Sequence, residues 1–476
     1  MKKIELQDIQ GFLLKGYGKM RSSRYYLLKV ENKELAKKWL DQVSNDISDG
    51  EHDPQTTCLN IAFTHPGLNA LGMAPENLRN FAREFREGID TPHRNRLLGD
   101  EGTSDPKNWH WGAKTSAEQF NEQQIHIMLM VFALDQMVLQ EYCGQLETVF
   151  LSFGLSIIIA LNGQLLDDNK IHLGFRDGIS QPAIAGTEME AHENNTIATG
   201  EFILGYKNEY GVFSDSPFAT VPQGDMNLLH LDAGGSGLKD LGNNGSYLVF
   251  RQMEERVDLF WTYVNEKTKA ANGALNEAES IKLASKMVGR WPSGAPITKF
   301  PDADPGGLSD DDDFGYQPGD VLGQKCPFGS HMRRSNPRDA FEDNSAKKSI
   351  QLTKKHRILR RGRSYGEPLI ATPTNHHAKD DIGLHFMCFN ADISNQFEFI
   401  MHTWENFPRF QNLYNDPDPI IGVLDVKEEE PIQQNFTIQA EPVNKCVMDL
   451  QRFVTIRGGA YFFFPSVSVI KYLSTI

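Results

Sequence analysis

Four times along the chain a short apolar strand is followed at once by a helix with apolar residues at 3.6 spacing, and this repeat limits the fold more than any other feature. The first unit runs from Tyr25 to Val30, then Asn32 as an N-cap, with Leu35, Ala36, Trp39, Leu40 and Val43 along one helical face. The second is Cys58 to Phe63, with Pro66 at a first helical position and Gly72 as the stop. The third joins Tyr247 to Phe250 with Val257, Phe260, Trp261 and Val264. The fourth joins Leu384 to Phe389, where Leu384, Phe386 and Cys388 share a face, with Ile393, Phe397, Ile400, Met401 and Trp404. Two units in each half, with a further strand at Ile125 to Phe132, predict an α+β chain of two halves on antiparallel sheets. No G-x-G-x-x-G follows a strand and no Walker motif occurs, so the doubly wound nucleotide folds are excluded. Glycine-rich Gly224 to Gly245 is the expected linker, dividing residues 1–235 from 236–476. The end, Val467 to Leu473, reads as a terminal strand.

Charge narrows the function. The 476 residues carry 48 Lys plus Arg against 63 Asp plus Glu, a formal net charge of −15 that argues against a nucleic-acid partner. The five cysteines (Cys58, Cys143, Cys326, Cys388, Cys446) are scattered without a CxxC pair and read as reduced thiols. The N-terminus meets acidic residues before any apolar run, and the apolar run from Val149 to Leu161 is too short to span a bilayer. A cytoplasmic protein with no membrane partner is the expectation. The Asp-rich stretch Asp302 to Asp313 imitates a calcium loop but contains Pro305 and ends in Asp, so it reads as a solvated acidic loop.

Against this acidic background, the stretch from His331 to Arg363 holds eleven Lys or Arg residues and only Asp339, Glu342 and Asp343 as acids. It is either a solvated basic face or a site for a di-anionic ligand, because arginine forks match carboxylates and phosphates. Haem, with two propionates, is such a ligand. His331 stands at the mouth of this stretch as a candidate iron ligand, with the thiolate of Cys326 as a competitor. His376 and His377 are adjacent, and neighbours on a strand point to opposite faces, so they are not expected to share a metal. In Gly174-Phe175-Arg176-Asp177-Gly178-Ile179-Ser180-Gln181-Pro182, two glycines hold a carboxylate in a tight loop.

Gly174 to Gly178 resembles the G-x-x-D-G signature of the dye-decolourising peroxidases, a haem family. Further segments resemble that family in the same order: Asp8 to Gly11, Gly200 to Tyr206, Gly245 to Gln252, Val288 to Gly294, Cys326 to Arg334 with Asn336 to Asp339, and His356 to Gly362. The resemblance implies two ferredoxin-like halves, the first carrying the distal Asp177 loop and the second binding most of the haem. It implies one haem b per chain with His331 as proximal ligand to the iron, Asp177 as distal carboxylate and Arg360 as distal arginine. Arg333, His356, Leu384, Phe386 and Asp418 complete the expected cofactor contacts, Asp418 as the carboxylate behind His331. The implied activity is reduction of hydrogen peroxide through a ferryl haem, with oxidation of a dye or phenolic electron donor. A haem carrier or haem-iron releasing protein on the same fold is the alternative, and a homo-oligomer is compatible with either. Trp404 and Tyr365 are candidate aromatic electron-transfer sites, although Trp404 also fits the buried face of its helix.

Overall fold

The computed structural model describes residues 3–114, 124–189, 191–317, 319–341, 345–422, 426–427, 430–431 and 434–476. Its main elements in chain order are β1 (Ser22–Val30), α1 (Lys33–Val43), β2 (Thr57–Phe63), β3 (Ile127–Ala133), α2 (Gln136–Ser152) and β4 (Leu155–Gln164). The second half repeats the order with β5 (Ser246–Glu255), α3 (Val257–Lys267), β6 (Leu359–Arg360), β7 (Arg363–Tyr365), β8 (Gly383–Asn390) and β9 (Val454–Phe464). Between β8 and β9 lie two helical segments of wide, π-type turns, Ser394–Glu398 and Ile400–Glu405.

The strand order is β5-β9-β2-β3-β1-β4-β7-β8-β6, and an added β5–β8 pairing closes the ring. Within the first half the order is 4-1-3-2, as a ferredoxin-like βαββαβ unit requires, and the second half has the same order when β6 and β7 count as one edge. The halves therefore share one closed antiparallel barrel. The seams are short: Phe463 faces Phe63 between β9 and β2, and Ser364 faces Gln164 between β7 and β4.

Strand alternation divides the core. Tyr25, Met130, Phe250, Phe389 and Phe462 pack inside the barrel with Phe12, while their strand neighbours Tyr26, Val131, Val249, Cys388 and Tyr461 point outward into the core cluster that also holds the apolar faces of α1 and α2. The first-unit expectations hold locally: Asn32 caps α1 by accepting from the Leu35 N–H at 3.1 Å. Thr64 caps the short helix His65–Ala70, which carries Pro66 as its second residue, and Gly72 follows with φ +93°.

Two local expectations fail, as does the strand placement behind a third. Val467–Thr475 is a helix, α4, capped by Ser466 accepting from the Val469 N–H; its apolar run suggested a strand, but Val469, Ile470 and Leu473 have the i, i+1, i+4 spacing of a buried helical face. The Gly224 to Gly245 stretch is no bare linker, since Lys239–Asp240 pairs with both Phe218–Ala219 and His230–Leu231 in a small sheet and Asn243 and Asn244 are buried. His376 and His377 lie in a loop rather than a strand, and their rings approach to 4.7 Å; no ligand cluster among the described residues contains them.

Candidate functional site

A large cavity, about 1530 Å³ of atom-free space including its mouth, lies against the outer face of the second half. Its floor is the sheet: Met253 on β5, Leu384 and Phe386 on β8, and Val454 on β9. Phe397, Ile400 and Met401 cover it from the wide helical segments, and Ile420 and Ile421 close one wall. The shared strand face of Leu384 and Phe386 thus lines the site as expected.

On one side stands His331, the first residue of the short helix His331–Ser335. Its Nδ1 lies 3.0 Å from Asp418 Oδ2 and 3.8 Å from Glu405 Oε2, which leaves Nε2 for the cavity. Asp418 is fixed in turn, its Oδ1 accepting from the N–H groups of Ile420 and Ile421 at 2.8 Å each. Burial opposes the charge on Asp418, but the neighbouring His331 and these hydrogen bonds win and hold its carboxyl at about 2. Glu405 goes the other way: burial, reinforced by the Asp418 charge, pushes it well above the carboxylate range. The cluster therefore presents one anion behind the imidazole, as an orienting carboxylate does behind a metal-binding histidine.

Asp177 and Arg360 come from distant segments and meet at the same cavity, Arg360 Nη1 donating to Asp177 Oδ1 at 2.6 Å. Both keep about a third of their side-chain surface open, 28% and 32%. Burial works against the charged form of Asp177, yet the Arg360 charge and hydrogen bond outweigh it and hold the carboxyl below its ordinary value. The Arg360 backbone N–H donates to Gln181 Oε1 at 3.0 Å, tying the arginine strand to the loop after Asp177. Asp177, Arg360 and Leu384 also border a second depression lined by Gly16, Gln164, Lys170 and Gly362.

The anion-binding end of the cavity differs from the expectation. Arg333 is 1% exposed and turned away; it donates to Asp320 Oδ2 at 3.0 Å and lies between the rings of Tyr316 and Phe328. His356 is also buried outside the cavity, stacked 3.9 Å from Phe399 with Nδ1 2.6 Å from Asn395 O. Neither borders the site. In their place Arg290, Arg338 and Arg357 line it. Asp312 pairs with both Arg290 and Arg338 and so pins one end of the Asp-rich loop, while Asp302, Asp310 and Asp313 stay exposed as expected; Arg357 donates to Ser180 O. Burial, then the Arg338 charge, lowers Arg290 to about 10 and Arg357 to about 9. Arg338 and Arg357 belong to the basic stretch and could have been singled out there; buried Glu405 carries no sequence signal. Glu342 and Asp343 of that stretch lie outside the described residues.

Three remaining candidates fall away from the cavity. Cys326 is buried in a separate cluster with Trp291 and Tyr316, where burial raises its thiol, so it does not compete with His331. Trp404 is 3% exposed, matching the buried-face reading. Tyr365 is buried and stacked 4.6 Å from His385, so it is not a surface aromatic.

These residues suit a haem. The walls are apolar, the one imidazole is backed by an anion, and three guanidiniums surround a single carboxylate with Arg290 Nε buried and unpartnered among the described residues. Comparison with known proteins agrees with that donor set. Residues 8–165 match the family model of the DyP dimeric alpha+beta barrel domain, and residues 239–411 that of the Dyp-type peroxidase C-terminal domain. Peroxidase 2 of Mycetinis scorodonius is 30% identical, covering 98% of this chain and 87% of its own, and a dye-decolorizing peroxidase of Exidia glandulosa is 27% identical over 98% and 86%. Among solved structures, an ancestral D-type dye-decolorizing peroxidase superposes over the whole of both chains with TM-score 0.78 at 27% identity. A DyP-type peroxidase of Anabaena shares the fold with TM-score 0.74 at 24% identity, over 98% of this chain and 94% of its own. With similarity of this extent along nearly the full length, the chain belongs to the DyP-type peroxidase family.

Proposed function

We infer that this peroxidase works with one haem b per chain in the cavity, where His331 would hold the iron and Asp177 with Arg360 would act on the peroxide. The observation that carries the reading is the pairing of two charged dyads, Asp177 with Arg360 and His331 with Asp418, on one apolar cavity. Arg290, Arg338 and Arg357 are the residues we assign to the haem carboxylates. When bound, haem supplies the iron and conjugated ring that accept oxidising equivalents from peroxide.

The chain's own groups do the proton work. Asp177, ionised because Arg360 stabilises its charge, takes the proton from hydrogen peroxide at its Oδ and returns it to the departing oxygen, which leaves as water. Arg360 offsets the negative charge that develops as the O–O bond breaks. Asp418 keeps the His331 imidazole oriented and electron-rich through Nδ1. Peroxide is small enough for the depression at Gly16 and Gly362, whereas a dye or phenol gives up its electrons at the cavity mouth or the protein surface.

Residues 1–235 and 236–476 are the two halves we propose, each built round one βαββαβ unit. No helix among the described residues is long and apolar enough to cross a membrane. The cytoplasmic location we propose rests on five cysteines with no disulfide, four of them buried; cell fractionation tests it. Stopped-flow absorption tests the activity: the haem-loaded chain mixed with one equivalent of peroxide should change its Soret band within milliseconds and recover on adding a phenolic donor. A Soret band indifferent to peroxide would overturn the assignment of the dyads.

A further inference from the structure

One carboxyl in the cavity takes no part in the chemistry above. Glu255 ends β5, and its side chain is buried at 5% exposure while lining the same cavity as Asp177 and Arg360. The backbone N–H groups of His172 and Leu173, on the loop leading into Gly174, favour its charged form but are outweighed by burial. Its Oε2 is buried with no hydrogen-bond partner among the described residues.

Met253 lies two residues before Glu255 on the same strand, and Val454 is the cross-strand partner of Glu255 on β9. Ile171, Leu173 and Leu384 continue the apolar wall. Of the titratable groups that act on or pack against it, Asp177 comes from the distal loop and Tyr365 from β7. The His172 ring points to the carbonyls of Leu369 and Tyr365. The adjacent Glu254 is paired with Arg457, and Arg256 lies nearest Asp258. Among the described residues no cation forms an ion pair with Glu255. Burial, reinforced by the Asp177 charge, raises its carboxyl to about 8, so it rests protonated at neutral pH.

The reaction needs such a proton. Hydrogen peroxide becomes two waters by taking up two electrons and two protons. Asp177, held ionised by Arg360, arrives at each turnover without a proton and only relays the peroxide's own.

We propose that Glu255 is the proton reserve of the cavity, giving its proton to Asp177 after the O–O bond has broken and regaining one from solvent. The transfer converts Glu255 carboxylic acid and Asp177 carboxylate into Glu255 carboxylate and Asp177 carboxylic acid, so atoms and charge balance. Run twice, the relay lets Asp177 deliver two protons to the second oxygen, which leaves as water with two electrons from the phenolic or dye donor. This rests on Asp177 being the distal base.

Glu255→Gln removes the proton while keeping a polar side chain of the same size at the end of β5. In infrared spectra of the haem-loaded chain at pH ~6, wild type minus Glu255→Gln should show the carbonyl stretch of one protonated carboxylic acid, fading as pH rises through about 8. Steady-state turnover with peroxide and a phenol should drop about tenfold in Glu255→Gln, with the first reaction with peroxide unchanged. The wild type should also lose turnover as pH rises through about 8, and Glu255→Gln should not. Glu255→Asp should restore the band and the decline at a shifted pH. Absence of the band, or wild-type turnover and pH profile in Glu255→Gln, overturns the proposal. If Glu255→Gln fails to load haem, Glu255→Asp decides: an unmoved pH profile overturns it. Asp177→Asn isolates the underlying reading, because wild-type reaction with peroxide there removes the distal base while leaving the Glu255 band in place.

Discussion

Arg360 and Asp177 are 183 residues apart in the chain and 2.6 Å apart in the cavity, the guanidinium donating directly to the carboxylate. The contact joins a strand edge of the second half to a glycine-flanked loop that follows the first. It explains how a carboxylate in an apolar cavity stays ionised and able to take a proton.

Breaking that pair has a defined consequence. Asp177→Asn and Arg360→Leu should each keep haem and slow the first reaction with peroxide by roughly 10²-fold or more, the scale of losing a preorganised acid-base or charge-stabilising group. Stopped-flow absorption reads the rate, and unchanged rates in both variants would remove the pair from the mechanism.

Behind the cavity, His331→Ala should lose or loosen haem. Asp418→Asn should leave the ligand in place but weaken haem affinity by roughly 10–100-fold, since the imidazole loses its orienting anion. Soret titration with haem measures both; a fully loaded His331→Ala with an unchanged spectrum would contradict the ligand assignment.

The turned-away arginine gives a contrast. Arg333→Leu strands Asp320 without its buried partner and should cost about 3–5 kcal/mol of stability. Arg357→Leu, at the cavity wall, should instead weaken haem binding with a smaller loss of stability. Denaturant unfolding and haem titration on the same samples distinguish the two, and a selective loss of haem affinity in Arg333→Leu would reverse the correction made from the structure.

Glu201 supplies a pH test away from the site. It is 3% exposed, and burial raises its carboxyl to about 7, above the unfolded value of about 4.3. A carboxyl raised by folding adds stability that is fully present below the unfolded pKa and disappears as pH rises through the folded one. Stability from this group should therefore decline between about pH 4.3 and 7 and level off above. Glu201→Gln should flatten that part of the unfolding free energy against pH, by a few kcal/mol as an order of magnitude. An identical profile in the variant would place the titration elsewhere.

Much of the architecture was written in local pattern. The four strand-helix units, the α1 cap at Asn32 and the shared face of Leu384 and Phe386 follow from period and punctuation, which act over a few residues and survive any packing that buries the apolar face. Composition misled at Val467–Thr475, where the apolar run pointed to a strand although the buried i, i+1, i+4 set belongs to a helix.

The site divides along the same line. Asp177, Arg360, His331 and Asp418 were legible as candidates because each sits in a short segment that resembles the family, and the structure brings them to one cavity in two pairs. The sequence by itself determined which segments carry the chemistry, and only the tertiary structure decided which side chains of those segments reach it. In the helix His331–Ser335, His331 and Ser335 lie one turn apart on the cavity side. Arg333, two residues on and about 200° round the axis, faces Asp320 instead. Arg290 joins Arg338 and Arg357 of the basic stretch at the cavity from a distant segment, an arrangement that no local spacing encodes because the closed barrel and its covering loops set it.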